Sequence, residues 1–394
     1  MSNLINLMNK YCPNGVEYKK ISEIFNQYNG MTGVTGKWKE TGNCKFIDYL
    51  NAYKNLKIDV KKLQNATVSK LNQHVISKND ILLTCASETP DECAISSVVE
   101  DEIDNNVFLD DHLFGLHIKD EFKEKINATF INYYMHTPQF RKTVNKAVRG
   151  VTRFYISNDA FVKLTVPVPP IEIQCEIVRI LDNFTELTAE LTAELTARQK
   201  QYEYYRDLLL NFENKAGGAI NKFKLKDISY MERGTSLVKA NAIIGVYPVI
   251  SGGREPAFYN NTFNRNGDII TVAGSGAGAG YVQYWEKEIF ANDCFTIKGK
   301  TKIIDTKFLY YCLVSMQDKI YRTKKGGGIP HVHISDIENF EINVPALSRQ
   351  KEIVEILNKF DSLTKDISVG LPAEIIARQK QYEYYRDKLL SFNY

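Results

Sequence analysis

The chain has 394 residues, of which 44% are hydrophobic and 25% are charged, a composition typical of a soluble globular protein. These proportions exclude collagen-like, disordered and disulfide-scaffold classes, and the length fits two or three domains of about 100–200 residues each. Fifty basic and 47 acidic residues leave a net charge of +3, so nucleic-acid binding would have to come from local clusters.

Targeting signals are the next feature. The first residues, MSNLINLMNKYC, do not resemble a signal peptide, and no run of about 18 apolar residues predicts a membrane-spanning helix. The seven cysteines are scattered and never spaced C-x-x-C, which favours reduced thiols over a disulfide frame or a zinc site. We therefore expect a cytoplasmic protein without membrane contact.

The most informative feature is an internal repeat. Residues 197–210 read ARQKQYEYYRDLLL and residues 377–390 read ARQKQYEYYRDKLL, identical at 13 of 14 positions. Upstream, VPPIEIQCEIVRILDNF (168–184) pairs with VPALSRQKEIVEILNKF (344–360). Fainter pairs, such as NDILLTCAS with GDIITVAGS, extend the repeat. Each half is thus a mixed segment followed by a helical one.

The first helical segment, from Ile171 to Lys215, predicts one long helix, because apolar residues recur every three or four positions and Gly and Pro are absent. At about 1.5 Å per residue this helix is about 60 Å long, and it needs a partner helix along its length to cover its apolar positions. The second segment supplies one, with a break and a fresh helix predicted near Pro372 because proline disrupts helices. The apolar positions are Ile173, Ile177, Leu181, Phe184, Leu187, Leu191 and Leu195, facing Ile353, Ile356, Leu357, Phe360, Leu363 and Ile367.

Within the first helix, residues 185–196 read TELTAELTAELT, a tetrapeptide repeated three times. A solvated helix face explains this composition. A repeated tetrad is also an adjustable spacer, because one copy adds about 6 Å of length and leaves both ends of the helix unchanged.

The mixed segments contain short β-rich runs between Gly, Asn and Asp, with short helical patterns, which predicts α+β rather than regular βαβ alternation. The predicted fold is therefore two pseudo-symmetric α+β domains separated by long helices. The predicted boundaries are 1–170 for the first globular domain, 171–215 for the central helix, 216–346 for the second globular domain and 347–394 for the C-terminal helix, broken near 370–372.

Two basic runs without acidic residues occur at equivalent places in the repeat, RKTVNKAVRGVTR (141–153) and KIYRTKKGGG (319–328). A basic helix end that runs into a glycine-containing loop lets side chains and backbone N–H groups approach phosphates. A single charge run is usually a solvated face, but its presence in both halves favours DNA binding. The candidates are Arg141, Lys142, Lys146, Arg149, Arg153, Arg322, Lys324 and Lys325.

Polar glycine-containing loops elsewhere offer residues that read bases, since Arg and Lys pair with guanine in the major groove. The candidates there are Lys37, Lys39, Arg233 and Arg254.

None of the candidate catalytic motifs is accompanied by the neighbouring structure or ligands that its chemistry requires. Gly274–Ala279 matches G-x-G-x-x-A, yet β-forming residues follow where a dinucleotide site needs a helix. Pro90-Asp91 with Glu121 and Lys123 only superficially fits a Mg²⁺ nuclease. His331-x-His333 lacks further ligands at metal-binding spacing. We expect no catalytic or metal site in this chain.

Two variable globular segments, each closed by near-identical helices carrying Thr-Ala-Glu-Leu tetrads and ARQKQYEYYRDLLL, resemble the specificity subunit of a type I restriction-modification system. The resemblance implies two target-recognition domains that read the halves of a bipartite, asymmetric sequence in double-stranded DNA. It also implies an antiparallel, coiled-coil-like helix pair between the domains. The implied partners are two modification (methyltransferase) subunits and restriction subunits, and S-adenosylmethionine, ATP and Mg²⁺ would belong to those partners, with no cofactor in this chain.

Two other interpretations remain open from the residues alone. One is an enzyme, either a self-contained Mg²⁺-dependent nuclease or a methyltransferase with its own cofactor. The other is a helical adaptor without DNA contact, which the paired basic runs disfavour.

Overall fold

The computed structural model describes residues 2–32, 34–39, 41–68, 73–212, 220–365 and 370–392, with only the backbone described for residues 34–39. The chain divides into two units. Unit 1 comprises Met1–Glu190 and Ile376–Tyr394, and unit 2 comprises Leu191–Ile375.

The first half supplies thirteen described strands. Several are short apolar runs, such as ILLT in β6, whose four residues are all buried. The strands are β1 (Tyr18–Lys20), β2 (Phe25–Asn29), β3 (Val34–Lys39), β4 (Cys44–Ile47), β5 (Gln64–Val68), β6 (Ile81–Thr84), β7 (Ala86–Ser87), β8 (Ser96–Val98), β9 (Val107–Leu109), β10 (Leu113–Ile118), β11 (Arg149–Gly150), β12 (Phe154–Tyr155) and β13 (Thr165–Pro167).

The second half supplies nine described strands. They are β14 (Asn221–Lys224), β15 (Ser229–Arg233), β16 (Tyr247–Ile250), β17 (Phe258–Asn260), β18 (Ile269–Ala273), β19 (Val282–Trp285), β20 (Phe290–Ala291), β21 (Cys294–Gly299) and β22 (Glu341–Val344).

The two halves assemble these strands in the same order. The antiparallel sheet β2-β10-β6-β8 of the first half corresponds to β15-β21-β18-β19 of the second. The pair β1-β13 corresponds to β14-β22, and in both halves a further sheet joins one antiparallel and one parallel pair, β5-β4-β9 and β17-β16-β20. The repeat predicted from sequence is therefore confirmed as a repeat of topology, and the α+β class is confirmed with it.

Helices cover these sheets and extend beyond them. The chain's described α-helices are α1 (Ser2–Tyr11), α2 (Ile21–Ile24), α3 (Tyr49–Lys54), α4 (Ala128–Met135), α5 (Pro138–Ala147), α6 (Asn158–Phe161), α7 (Ile171–Leu210), α8 (Leu225–Ile228), α9 (Thr306–Ser315), α10 (Gln317–Tyr321), α11 (Ile334–Ile337), α12 (Leu347–Lys365) and α13 (Leu371–Leu390).

The long helix predicted from the apolar periodicity is α7, which runs without interruption for 40 residues. Its first apolar positions, Ile173, Ile177 and Leu181, are fully buried in the core of unit 1 together with residues of the sheet and α4. Burying such side chains contributes about 1.5–3 kcal/mol each. Further along α7, Leu187, another of the predicted apolar positions, is 44% exposed because the globular core ends before it.

A buried glutamine fixes the start of each long helix to its globular domain. The Gln174 side chain, fully buried, accepts from the Asn127 N–H (2.9 Å) and donates to the carbonyls of Lys125 (2.8 Å) and Pro169 (2.6 Å). Gln350 makes the equivalent three bonds at the start of α12. Its partners are Asp305, Ile303 and Pro345. A buried amide with all its groups paired holds the helix in one orientation.

The near-identical 14-residue segments pack against the helix of the opposite repeat. In unit 1, Tyr385 of α13 stacks on Phe184 of α7, with ring centroids 5.2 Å apart. In unit 2, Tyr205 of α7 stacks on Phe360 of α12 at 5.8 Å. As the residue numbers on α7 rise, those of its partners fall, the order of an antiparallel pairing. The two segments share a sequence because they fill equivalent places.

Candidate nucleic-acid interface

A small three-stranded sheet in unit 1 presents part of the first basic run. Strands β11 and β12 form a hairpin, and β12 pairs with β7 on its other side. Gly150 has φ +129°, and a Cβ at this position would lie 2.1 Å from the Arg153 carbonyl oxygen, so the hairpin requires glycine. The hairpin leaves Arg149 and Arg153 exposed, and the aliphatic Val151 between them is 89% exposed.

An open groove of about 680 Å³ adjoins this hairpin. Its walls come from α3, from the segment that follows β6, from the residue before β10 and from the hairpin itself. The residues that line it are Tyr49, Tyr53, Cys85, Ala86, Ser87, Glu88, Glu92, His112, Thr152 and Arg153.

Hydrogen bonds fix the charge inside this groove. Glu92 accepts from Tyr53 Oη (2.7 Å), Thr89 Oγ1 (2.8 Å) and Ser87 Oγ (3.1 Å), and these bonds lower the pKa of its carboxyl group. Burial raises the pKa of the Cys85 thiol to about 11, so this thiol stays protonated and unreactive at neutral pH. The groove therefore combines aromatic walls, the hydrogen-bonded Glu92 carboxylate and an arginine. These groups suit ligand binding rather than nucleophilic catalysis.

Unit 2 contains the same arrangement at the equivalent place. His331 forms bridges with Ser275 on one side and Lys325 on the other, as β12 does with β7 and β11. The loop between Lys325 and His331 again contains an exposed aliphatic residue, Ile329, which is 62% exposed. A groove of about 210 Å³ adjoins it, lined by Arg233, Gly234, Gly274, Asn292, Asp293, Cys294, Phe295, His331, Val332, His333 and Ile334.

Comparison with known proteins identifies the family to which this chain belongs. The sequence profile of the type I restriction modification DNA specificity domain matches residues 13–198 and again 219–377, one match in each repeat. This chain belongs to the type I restriction-modification specificity family. The specificity subunit is accordingly a DNA-recognition component and not a catalytic one, which decides against the enzyme interpretation.

Individual relatives agree with the family match. A Haemophilus influenzae protein described as a putative type I restriction enzyme specificity subunit is 31% identical over 296 residues, covering 69% of this chain and 74% of the relative. The crystal structure of a type I restriction-modification S subunit from M. genitalium has a TM-score of 0.60 at 16% identity, covering 96% of this chain and 97% of that one. A chain from a structural study of assembly and conformational transition in a type I system has a TM-score of 0.65 at 11% identity, covering 96% and 98%. At these identities the two structures show a shared fold.

Among the predicted DNA-binding residues of the specificity subunit, Arg141 has an internal role. Its guanidinium donates to the carbonyls of Ala94 (2.9 Å) and Asp91 (3.0 Å), and also to that of Cys93. Desolvation lowers its pKa, the direction expected for an enclosed cation. The arginine therefore ties α5 to the loop after β7 and has little freedom to reach a phosphate.

The other predicted residues of the first run lie at the surface. Lys142, Lys146, Arg149 and Arg153 are all exposed. Arg149 donates through Nη1 to the carbonyls of Lys146 (3.1 Å) and Val148 (2.9 Å), so it also caps the last turn of α5.

The predicted DNA-binding residues of unit 2 differ in exposure and in their contacts. Arg233 is exposed at the groove, and Arg322 is exposed after α10. The Arg254 guanidinium lies 5.0 Å from the centre of the Tyr281 ring, and Lys324 Nζ lies 4.1 Å from that of Tyr321. Lys325 is paired with Asp336. These contacts leave Arg233 and Arg322 as the better candidates for DNA contact.

Two predicted DNA-binding residues have side chains that the structure does not describe, and three residues of the first groove were not predicted. Lys37 and Lys39 lie in strand β3, but their side chains are outside the described part of the structure. Tyr49, Tyr53 and Glu92 were not predicted from the sequence, because contacts between parts of the chain far apart in sequence bring them to the hairpin. Among the described residues, no helix has both the length and the apolar character needed to cross a bilayer.

The glycine loop that formally matches a dinucleotide motif forms part of the second groove. Strand β19 follows it, where a phosphate-binding site would need a helix. Gly274 instead donates its N–H to the Asp293 carbonyl and accepts from the Val332 N–H, so the loop builds the groove wall.

Proposed function

We propose that this specificity subunit reads a bipartite, asymmetric DNA sequence, with one half-site contacted by each unit. The observation that carries the proposal is that each unit has a groove beside the same topological arrangement of strands, and that the two grooves differ in their linings. The first offers Glu88, His112 and Arg153, whereas the second offers Arg233 and Asp293. Equivalent placement gives both units the same mode of docking, and different side chains give them different sequences to read.

The chemistry of the linings supports base recognition. In the major groove, carboxylates accept hydrogen bonds from cytosine, and arginine pairs with guanine. The exposed aliphatic residues Val151 and Ile329 fit contact with a thymine methyl group. The exposed cations Lys142, Lys146 and Arg149 lie beside the first groove's hairpin and supply phosphate contacts, which position the duplex without reading its sequence.

We further propose that two modification subunits bind this chain, that restriction subunits join the complex, and that S-adenosylmethionine, ATP and Mg²⁺ belong to those partners. The repeated helix packing supports the number two. Each unit carries one long-helix start anchored by a buried glutamine and one aromatic stack between helices. Two equivalent surfaces accept two copies of one partner.

Base reading is tested by one substitution in each groove. In the complex with its modification subunits, Glu88→Gln should change the methylated sequence in one half-site, and Arg233→Gln should change it in the other. Sequencing of methylated DNA from cells that carry each variant measures this. If both variants alter the same half-site, or if neither alters any position while protein levels are normal, the assignment of one groove to one half-site is wrong.

The tetrads predict how the gap between half-sites is set. Deletion of Thr192–Leu195 shortens α7 by about 6 Å and leaves a rotation of about 40°, against a rise of about 3.4 Å per base pair. Glu194 pairs with Arg198 at 3.3 Å, and after the deletion Glu190 takes its place four residues before the arginine. The helix surface is thus preserved, and the gap in the methylated motif should shrink by one or two base pairs with both half-sites unchanged. An active variant with the original gap contradicts the role of the helix as a spacer.

A further inference from the structure

Two histidines and an aspartate meet at one end of the antiparallel sheet of unit 1. Asp80 immediately precedes β6, His117 lies near the end of β10, and His74 lies in the segment that leads to β6. His117 Nδ1 is 2.7 Å from Asp80 Oδ1, and His74 Nε2 is 3.6 Å from Asp80 Oδ2. One potential ligand atom from each of the three residues lies within 4.8 Å of the others.

The aspartate in this cluster is not required by the fold. In the first half, Ile81 pairs with Leu116, and in the second half Ile270 pairs with Ile297. The neighbouring positions are therefore equivalent, and unit 2 has Ile269 and Lys298 at the places of Asp80 and His117. Ile269 is buried, so the same sheet forms with an apolar residue where unit 1 has a carboxylate of zero exposure. A buried charge is costly unless positive partners surround it.

A second layer of contacts holds the cluster in place. Tyr28 Oη donates to Asp80 Oδ2 at 2.7 Å, and the Tyr28 ring stacks on His74 with centroids 3.6 Å apart. The ring lies across β10 at Gly115, where a Cβ would be 2.0 Å from Tyr28 Cζ. The Ser77 N–H also donates to Asp80 Oδ2, at 3.1 Å. Hydrogen bonds of this kind to a ligating carboxylate orient it toward a metal.

We propose that His74, Asp80 and His117 form a zinc site. Zn²⁺ takes imidazole nitrogen and carboxylate oxygen at about 2.0–2.2 Å, which places neighbouring tetrahedral ligands about 3.3 Å apart. The nitrogen–oxygen separations of 2.7 and 3.6 Å in the cluster lie on either side of that spacing. Binding requires the lone pair of His117 Nδ1, so an imidazolium at His117 would lose its Nδ1 proton to solvent and a neutral ring would carry its proton on Nε2. A water would complete the coordination from the side of the more exposed His74.

The zinc ion in this site would be structural. It would connect the segment 73–77 to β6 and β10, at the end of these strands opposite the groove, because Cys85 follows β6 into the groove and Asp80 precedes β6. The site is therefore independent of the DNA-reading function proposed above, and loss of either does not imply loss of the other.

The test uses the full-length chain, freed of metal by a chelator and titrated with Zn²⁺ alone. We expect binding of one equivalent by calorimetry and a melting temperature that rises with free zinc, since an ion that binds only the folded state stabilises it. His74→Ala should lower the zinc affinity at least about 100-fold, beyond the 10–100-fold typical of outer-layer partners, and His117→Ala should do the same. Because His74 is partly exposed, its variant should fold, which circular dichroism verifies.

His112→Ala is the matched control. This histidine also lies beside carboxylates, with Nδ1 at 2.9 Å from Asp110 Oδ1 and 2.8 Å from Asp111 Oδ1, and its variant should keep the full zinc affinity. Replacement of Zn²⁺ by Co²⁺ should give a spectrum of nitrogen and oxygen ligands without thiolate charge transfer, although seven free cysteines are present. The proposal is overturned if the chain binds no zinc, if the His74 and His117 variants bind it like the wild type, or if cobalt reports thiolate ligation.

Discussion

Substitution of arginines within the first basic run tests which of them contact DNA, as proposed for the exposed ones, and which hold the fold. Arg149 and Arg153 are exposed on the hairpin, whereas Arg141 donates to three backbone carbonyls. All three were predicted from the sequence as DNA-binding residues. The double variant Arg149→Ala/Arg153→Ala and the single variant Arg141→Ala should therefore fail in different ways.

The magnitudes follow from counterion release and from lost hydrogen bonds. Each phosphate contact contributes about 0.9 to the slope of log affinity against log salt, so loss of two contacts flattens that slope by up to about 1.8. Between 50 and 200 mM salt, the affinity ratio of wild type to double variant would then change about 12-fold. Arg141→Ala leaves three carbonyls without their donor and should lower the free energy of unfolding by about 2–4 kcal/mol, with an unchanged salt slope.

The assay is a titration of a mixed-sequence duplex at several salt concentrations, because counterion release does not depend on sequence. Denaturant unfolding of the same three proteins supplies the stability comparison. An equal salt slope for wild type and the double variant would show that neither hairpin arginine contacts phosphate. A flatter slope for a fully folded Arg141→Ala protein would refute the internal role given to that residue.

Two further outcomes are expected. Gln174→Ala and Gln350→Ala should each lower the free energy of unfolding by about 3 kcal/mol, because each removes three hydrogen bonds made by a fully buried side chain; losses under about 1 kcal/mol in denaturant titrations would contradict the anchoring role. His136 donates from Nε2 to the Ser96 carbonyl at 2.7 Å, and burial, with smaller effects of Arg141 and Arg386, lowers its pKa to about 4. Its neutral form is favoured in the folded state, so stability should be complete above about pH 6.5 and fall toward pH 4 by at most about 1.4 kcal/mol per pH unit. His136→Gln, which keeps a donor, should reduce that pH dependence, and an unchanged pH profile would count against the assignment.

The features of this specificity subunit that the sequence predicts well are those that depend on local sequence patterns. The repeat, the helix of 40 residues and the equivalent places of the two basic runs depend on periodicity and on neighbouring residues. Even the internal role of Arg141 had a local signal. It lies three residues before the buried Val144 and next to the buried Phe140 on α5, hence beside the apolar face of that helix.

Other features depend on how distant strands align. His74 and His117 are separated by 43 positions, and only the register of β6 with β10 places both beside Asp80. Alignment of the two repeat sequences places Asp80 opposite Asp268. The strand registers instead make Asp80 equivalent to Ile269, one position further along. A shift of one residue reverses which face of a strand a side chain occupies, so the sequence could not reveal the cluster.

The exchange of helical segments between repeats has a consequence for shorter chains. Phe184 and Tyr205 are 21 residues apart on one continuous helix, about 30 Å, so a polypeptide with a single repeat cannot stack these two rings on each other. A second copy can supply the missing ring to each, as Tyr385 and Phe360 do here. Half-length versions would accordingly associate as twofold homodimers, in which each copy completes the helix packing of the other.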